Sequence, residues 1–96
     1  MTTSVSIIIP VFNAEETIDE TLESIQAEIS SSPEITWEVI AIDDGSTDGS
    51  VELLDSWKTR LPLTTFALVH SGGPASPRNF GIQRATSEFV FFLDSD

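Results

Sequence analysis

The feature that most constrains the fold is an alternation of two periodicities. Four short apolar runs, Val5 to Val11, Trp37 to Ile42, Thr65 to Val69 and Phe89 to Leu93, have the length and residue types of β-strands. The three segments between them carry apolar residues at helical spacing: Ile18, Leu22, Ile25 and Ile29; Val51, Leu54, Trp57 and Leu61; then Phe80, Gly81 and Ala85, with Ile82 beside them. The first run is continuous and β-branched, which suits a strand buried on both faces. Strict strand–helix alternation predicts an α/β fold, β-α-β-α-β-α-β, with a mainly parallel sheet, helices on both faces and right-handed crossovers.

Punctuation between the runs supports this division. Asn13, with Glu16 three residues on, predicts an N-cap and a capping-box-like pair for the first helix, and Ser30 to Pro33 ends it. Gly45 to Gly49 reads as a turn with capping residues, and Pro62 stops the second helix. His70 to Pro74 forms a loop into Ser76-Pro77, an N-cap followed by a first-turn proline. Trp37 and Trp57 fall on apolar faces and are expected in the core. The lone His70 reads as a loop-end or packing residue.

Composition excludes several classes. The 96 residues make one small domain or part of a larger one, with 40% apolar and 21% charged residues, ordinary for globular protein. Without cysteine there are no disulfides and no thiolate metal sites. The first apolar run is short and lacks a basic leader, so no signal peptide is expected, and no stretch approaches transmembrane length. The net charge is −12, and residues 1 to 57 hold thirteen acids and no Lys or Arg. A nucleic-acid surface would need a basic stripe, which is missing. Most of the acids read as a solvated face. The few basic groups (Lys58, Arg60, Arg78 and Arg84) gain interest, because a phosphorylated ligand has few other cations to meet.

In a parallel α/β sheet, ligands bind beyond the carboxyl ends of the strands. Those ends are Pro10-Val11-Phe12-Asn13, Asp43-Asp44-Gly45, His70-Ser71-Gly72 and Asp94-Ser95-Asp96, so two of the four are carboxylate clusters. A dinucleotide-binding turn would place glycines after the first strand, so that a pyrophosphate could reach the helix N-terminus. This turn has no glycine, and Glu15 and Glu16 would repel a phosphate. No Walker A sequence is present. A bound nucleotide would need another source of positive charge, and Asp94-x-Asp96 offers hard oxygens suited to Mg2+ or Mn2+. Such a metal bridges a diphosphate and stabilises it as a leaving group.

Asp43-Asp44 supports two readings. In one, the stretch is a turn and cap whose side chains accept backbone N–H groups. In the other, a carboxylate at the open end of the second strand accepts a ring N–H from a nucleobase. The likeness of residues 44 to 55 to a calcium-binding EF-hand loop fails on context: a strand rather than a helix leads in, and position twelve is Asp55 rather than a bidentate Glu. Arg78, in the first turn of the third helix, is a candidate for diphosphate or base contact against a plain surface role. Arg84 reads as surface.

Taken together, "VSIIIPVFNAEETIDETLESI", "WEVIAIDDGSTDGS" and "SGGPASPRNFGIQRATSEFVFFLDSD" resemble the nucleotide-binding half of inverting family 2 glycosyltransferases of the GT-A fold. The resemblance covers the whole chain, and the order and spacing of its blocks make it specific. It implies transfer of a sugar from a nucleotide-diphosphate donor, often UDP-linked, to a glycan, polymer or lipid acceptor. Carried over by position, it implies that Pro10, Val11 and Phe12 line the base pocket. Asp44 would bond the base ring nitrogen, and Asp43 would support the turn. Ser71 and Gly72 would lie against the nucleoside, and Arg78 would contact base or diphosphate. Asp94 would reach ribose or sugar and share with Asp96 a Mn2+ or Mg2+ ion.

The family's second half carries the acceptor site and a catalytic base. The resemblance therefore implies a chain, 1–96, that stops at the metal motif, supplies donor binding only, contains no catalytic residue and is inactive alone. It also implies a cytoplasmic protein, peripheral to a membrane at most. An uncovered fourth strand would promote self-association.

Other classes fit less well. A receiver domain would place acids after the first and third strands, and a haloacid-dehalogenase its Asp-x-Asp after the first. A sugar-nucleotide pyrophosphorylase would show a glycine-rich basic loop there. A non-catalytic calcium- or protein-binding module is the reading from a different class, and a UDP titration with and without Mn2+ separates it.

Overall fold

The computed structural model describes residues 3–69 and 75–95. Its elements are β1 (Ser4–Val11), α1 (Ile18–Ser31), β2 (Thr36–Asp43), α2 (Ser50–Trp57), β3 (Leu63–Ala67), α3 (Ala75–Arg84) and β4 (Phe89–Phe92). The four strands form one parallel sheet in the order β3-β2-β1-β4. The expected α/β architecture is present.

Side-chain alternation along β1 feeds two cores. Val5, Ile7, Ile9 and Val11 face α1 and α2, where they meet Ile18, Leu22, Ile25, Leu54 and Trp57. Ile8 faces the other way with Ile40 and Ile42, against Phe66, Phe80 and Ala85. Each face therefore has its own helix layer, which is why β1 and β2 read as unbroken apolar runs rather than alternating ones. Gly81 lets α3 lie close to the sheet, since a Cβ there would sit 2.5 Å from Ile8 Cγ2. Trp57 is buried, and its indole N–H donates to Asp19 Oδ1 at 2.8 Å; Trp37 is partly buried against the same core.

Several boundaries differ from the sequence expectation. Asn13 does not cap α1: it has φ 48°, a left-handed conformation that Asn tolerates, and the helix begins at Ile18 after Thr17. The chain turns sharply at Asn13, and its side chain is directed to the β2–α2 loop instead. β3 runs from Leu63 to Ala67 rather than from Thr65 to Val69, because pairing with β2 sets its limits. Leu63 aligns with Val39 and Ala67 with Asp43, the last residue of β2. Val69 lies past the ladder and is exposed. Ser76 sits inside α3 rather than capping it. Leu61 belongs to the turn after α2, and its N–H donates to the Trp57 carbonyl.

The strand order has a functional consequence. From β1 the chain builds outward through β2 to β3, then returns to add β4 on the other side of β1. The order reverses between β1 and β4, and a crevice opens at such a switch point beyond the carboxyl ends. β4 lies at the sheet edge, with Phe89, Phe91 and Phe92 exposed. An apolar groove of about 740 Å³ runs between it and α1, floored by Val5 and Ile7 and walled by Ile25, Trp37, Phe89 and Phe91.

Candidate functional site at the strand ends

The N-terminal approach to α1 is where a glycine-rich turn would receive a pyrophosphate. Here its amides are already paired with side chains of the β2–α2 loop. The Asn13 N–H donates to Ser46 Oγ at 2.8 Å, the Ala14 N–H to Ser50 Oγ at 2.8 Å, and the Glu15 N–H to Asp48 Oδ2 at 3.2 Å. The pairing is reciprocal. The Thr47 N–H donates to Asn13 Oδ1 at 2.8 Å and the Gly49 N–H to Glu15 Oε2 at 2.9 Å. The two loops form a clasp, with an aspartate and two serines in the position a phosphate would need.

Asp48 is the charged member of the clasp. The Ser50 hydroxyl donates to its Oδ1 at 2.6 Å, and the N–H groups of Ser50 and Glu15 add further donors. These bonds favour the ionised form and hold its carboxyl below the ordinary aspartate value. The calcium-loop likeness is explained here. Ile40 to Ile42 lie in β2, Asp55 lies in α2 and pairs with Lys58 at 3.0 Å, and the loop oxygens of Ser46 and Asp48 accept backbone N–H groups.

Asp43 ends β2 and is buried, with only 4% of its surface exposed. Its Oδ2 accepts the Ser46 N–H at 3.0 Å and closes the turn that Gly45 makes at φ 80°. Its Oδ1 is buried with no hydrogen-bond partner. A carboxylate oxygen in that state is costly unless something occupies it. Asp44, also buried, ties β2 to β1 by donating its N–H to the Val11 carbonyl at 2.8 Å.

At the end of β1 the predicted pocket residues separate. The Val11 side chain belongs to the core, Pro10 is half-buried, and the Phe12 ring is 45% exposed beyond the strand end. Across the switch point, Arg78 on α3 pairs with Asp94, Nη2 to Oδ1 at 3.1 Å, and lies 5.9 Å from the Phe92 ring centroid. The Arg78 Nε is buried without a partner, so this guanidinium retains an unused donor. The Asp94 side chain is 67% exposed.

Ser71, Gly72 and Asp96 lie outside the described residues, as does His70. Among the described residues, no three His, Cys, Asp or Glu side chains converge as a metal cluster. Among them, too, no helix is long and apolar enough to cross a membrane.

Two residues that the sequence reading did not single out also reach the site. The Thr17 hydroxyl donates to the Ser95 carbonyl at 2.6 Å, and Thr21 Oγ1 approaches the same oxygen at 3.3 Å. Their spacing of four places them on one face of α1. No local pattern reveals that this face meets the far end of the chain.

The comparisons with known proteins bear on this arrangement. The sequence matches the profile described as "Glycosyl transferase family 2" over residues 6–96. It is 39% identical over 94 residues to a poly(ribitol-phosphate) beta-glucosyltransferase of Bacillus spizizenii, covering 96% of this chain and 14% of that protein. Among solved structures it is similar to S. aureus TarS 1-349 in complex with UDP: TM-score 0.85, 35% identity, 98% of this chain and 28% of that one. It is also similar to the mannosyltransferase PcManGT from Pyrobaculum calidifontis in complex with GDP-Man and Mn2+: TM-score 0.86, 28% identity, 100% of this chain and 28% of that one. The chain thus spans about a seventh of the length of that curated relative.

Proposed function

Because the chain belongs to glycosyl transferase family 2 and has the GT-A fold, we propose that it is the donor-binding part of an enzyme that moves a sugar from a nucleotide diphosphate, UDP-linked, to a glycan, polymer or lipid acceptor. The observation that carries this reading is the buried, unpartnered Oδ1 of Asp43 at the carboxyl end of β2. A pyrimidine ring N–H would satisfy it, with the exposed Phe12 ring offering a stacking face. This moves the base-reading role toward Asp43. Asp44 beside it helps fix the turn through its backbone, and Ser71 and Gly72 would complete the nucleoside wall.

The diphosphate cannot use the Asn13, Ala14 and Glu15 amides of the β1–α1 turn, because the clasp fills them. Arg78 and Asp94 lie across the switch point instead. The donor set there fits a hard divalent ion: Asp94 presents an exposed carboxylate, and Asp96 follows two residues on. Mg2+ and Mn2+ typically take one or two carboxylates and complete their shell with water and substrate phosphates. Asp94 and Asp96 would hold such an ion, whose chemistry is to neutralise the diphosphate as it leaves. The Arg78 guanidinium, released from Asp94, would turn toward the phosphates.

Acceptor binding and the base that deprotonates the acceptor hydroxyl belong, in this reading, to protein outside these 96 residues. In this reading the transfer would proceed with inversion, as the family resemblance implies. The protein would work in the cytoplasm, peripheral to a membrane at most. The 96-residue chain alone would be inactive and would self-associate through the exposed edge of β4; a monomer in light scattering at high concentration would refute that pairing.

The test of the main reading is a UDP titration with and without Mn2+. Binding should require the metal and be lost in Asp43→Ala and Asp96→Ala. Calcium binding with no nucleotide response would favour a binding module instead.

A further inference from the structure

Ser46 meets two strand ends at once. Its backbone N–H donates to Asp43 Oδ2 at 3.0 Å, and its Oγ accepts the Asn13 N–H at 2.8 Å. The first bond acts on the carboxylate whose other oxygen, Oδ1, is buried with no partner. The terminal torsion of an aspartate is soft, so a carboxyl left to itself has no fixed plane. A donor on Oδ2 settles that plane, and with it the direction of Oδ1. The Ser46 amide can turn back onto Asp43 because Gly45 stands between them at φ 80°.

The second bond acts at the end of β1. The Asn13 N–H belongs to the rigid peptide plane that begins at Phe12, so holding that amide holds the backbone on which the exposed Phe12 ring is mounted. Asn13 itself stands at φ 48°, and its Oδ1 accepts the Thr47 N–H at 2.8 Å, so the turn carrying the ring is gripped through both its backbone and its side chain. The remainder of the clasp acts further along the chain. Ser50 and Asp48 take the amides of Ala14 and Glu15, and Ser50 is fully buried, whereas Ser46 is half-buried and Asn13 exposed. We propose that Ser46 is a positioning residue for the base pocket: it fixes the Asp43 carboxylate against the Phe12 ring, and so sets the preference for a base with a ring N–H, without itself touching the nucleotide. This rests on the donor-site reading above and adds to it the residue that joins the two walls of the pocket.

The experiment compares the full-length protein with its Ser46→Ala, Ser46→Thr and Ser50→Ala variants. The readouts are the dissociation constants of UDP and CDP in the presence of Mn2+, and the urea midpoint. Uracil carries a ring N–H where cytosine has a bare acceptor nitrogen, which an ionised carboxylate repels. Ribose, phosphates and metal are the same in both ligands, so the UDP-to-CDP ratio reports the base contact alone. The wild type should prefer UDP. Ser46→Ala should cut that preference about fivefold, the worth of one net hydrogen bond, with little change in urea midpoint because water reaches the exposed Asn13 amide. Ser46→Thr keeps the hydroxyl and should restore the preference. Ser50→Ala should lower the urea midpoint and leave the ratio unchanged. An unchanged ratio in Ser46→Ala would overturn the inference, as would failure of Ser46→Thr to rescue it or an equal fall in Ser50→Ala. A wild type with no preference for UDP over CDP would overturn the base-reading role of the β2 end itself, and the inference with it.

Discussion

Two acidic strand ends face the same side of the sheet, and they are built in opposite ways. At the end of β2, Asp43, Ser46, Asp48 and Ser50 are tied into the backbone of the β1–α1 turn and of their own loop, and Asp43 Oδ1 is buried without a partner. At the end of β4, the Asp94 side chain stands largely in solvent with one arginine as partner. Similar residue types therefore do different work. The first end is a structural clasp with one buried oxygen, Asp43 Oδ1, that no donor meets. The second is held through the Ser95 backbone carbonyl, with the Asp94 side chain at the surface. An acidic cluster is read correctly only when one knows which of its oxygens already have donors.

The contrast can be broken at its buried side. Ser50 is fully buried; its Oγ accepts the Ala14 N–H and donates to Asp48. Ser50→Ala would leave a buried amide without a partner, which costs about 1–3 kcal/mol. A fall of that size in unfolding free energy from urea titration is the expected result. A change within about 0.5 kcal/mol, the usual range for unconnected surface sites, would mean the clasp is not structural.

The exposed side should respond in the reverse manner. Asp94→Asn removes half of a solvent-exposed ion pair, and such pairs contribute about 0–1 kcal/mol. Unfolding should therefore barely change while metal-dependent UDP binding falls sharply. Loss of stability matching that of Ser50→Ala would erase the distinction between the two ends.

Much of this was legible in the sequence, for physical reasons. Strands buried on both faces leave continuous apolar runs, and helices packed on one face leave a 3.6-residue stripe, so element types and topology class followed directly. Asp43-Asp44 and Asp94 stood out because they fall at the carboxyl ends of strands, where a parallel α/β sheet binds its ligands. What escaped was long-range. The Asn13–Glu16 capping pair is a local pattern, and the fold uses Asn13 and Glu15 to hold a loop more than thirty residues away. The limits of β3 were set by its partner strand rather than by its own apolar content. The Thr17–Ser95 contact joins opposite ends of the chain, and nothing in either neighbourhood announces it.

The smallest expected effect tests the charge inside the clasp. The carboxyl of Asp48 is held below the ordinary aspartate value, chiefly by the Ser50 hydroxyl and then by the Ser50 and Glu15 amides. A group whose pKa is depressed on folding contributes stability that is fully present above its unfolded pKa. That contribution is lost as pH falls through the folded one. Stability from Asp48 should therefore be constant from neutral pH down to about pH 5 and decline below it. Asp48→Asn keeps the size of the side chain and removes the titration, so the gap between wild type and variant in urea midpoint should hold steady to about pH 5 and then close. A gap that persists unchanged to pH 2 would show that Asp48 acts through shape and neutral hydrogen bonding. In that case the charge of the clasp would have no part in filling the place where a phosphate would otherwise bind.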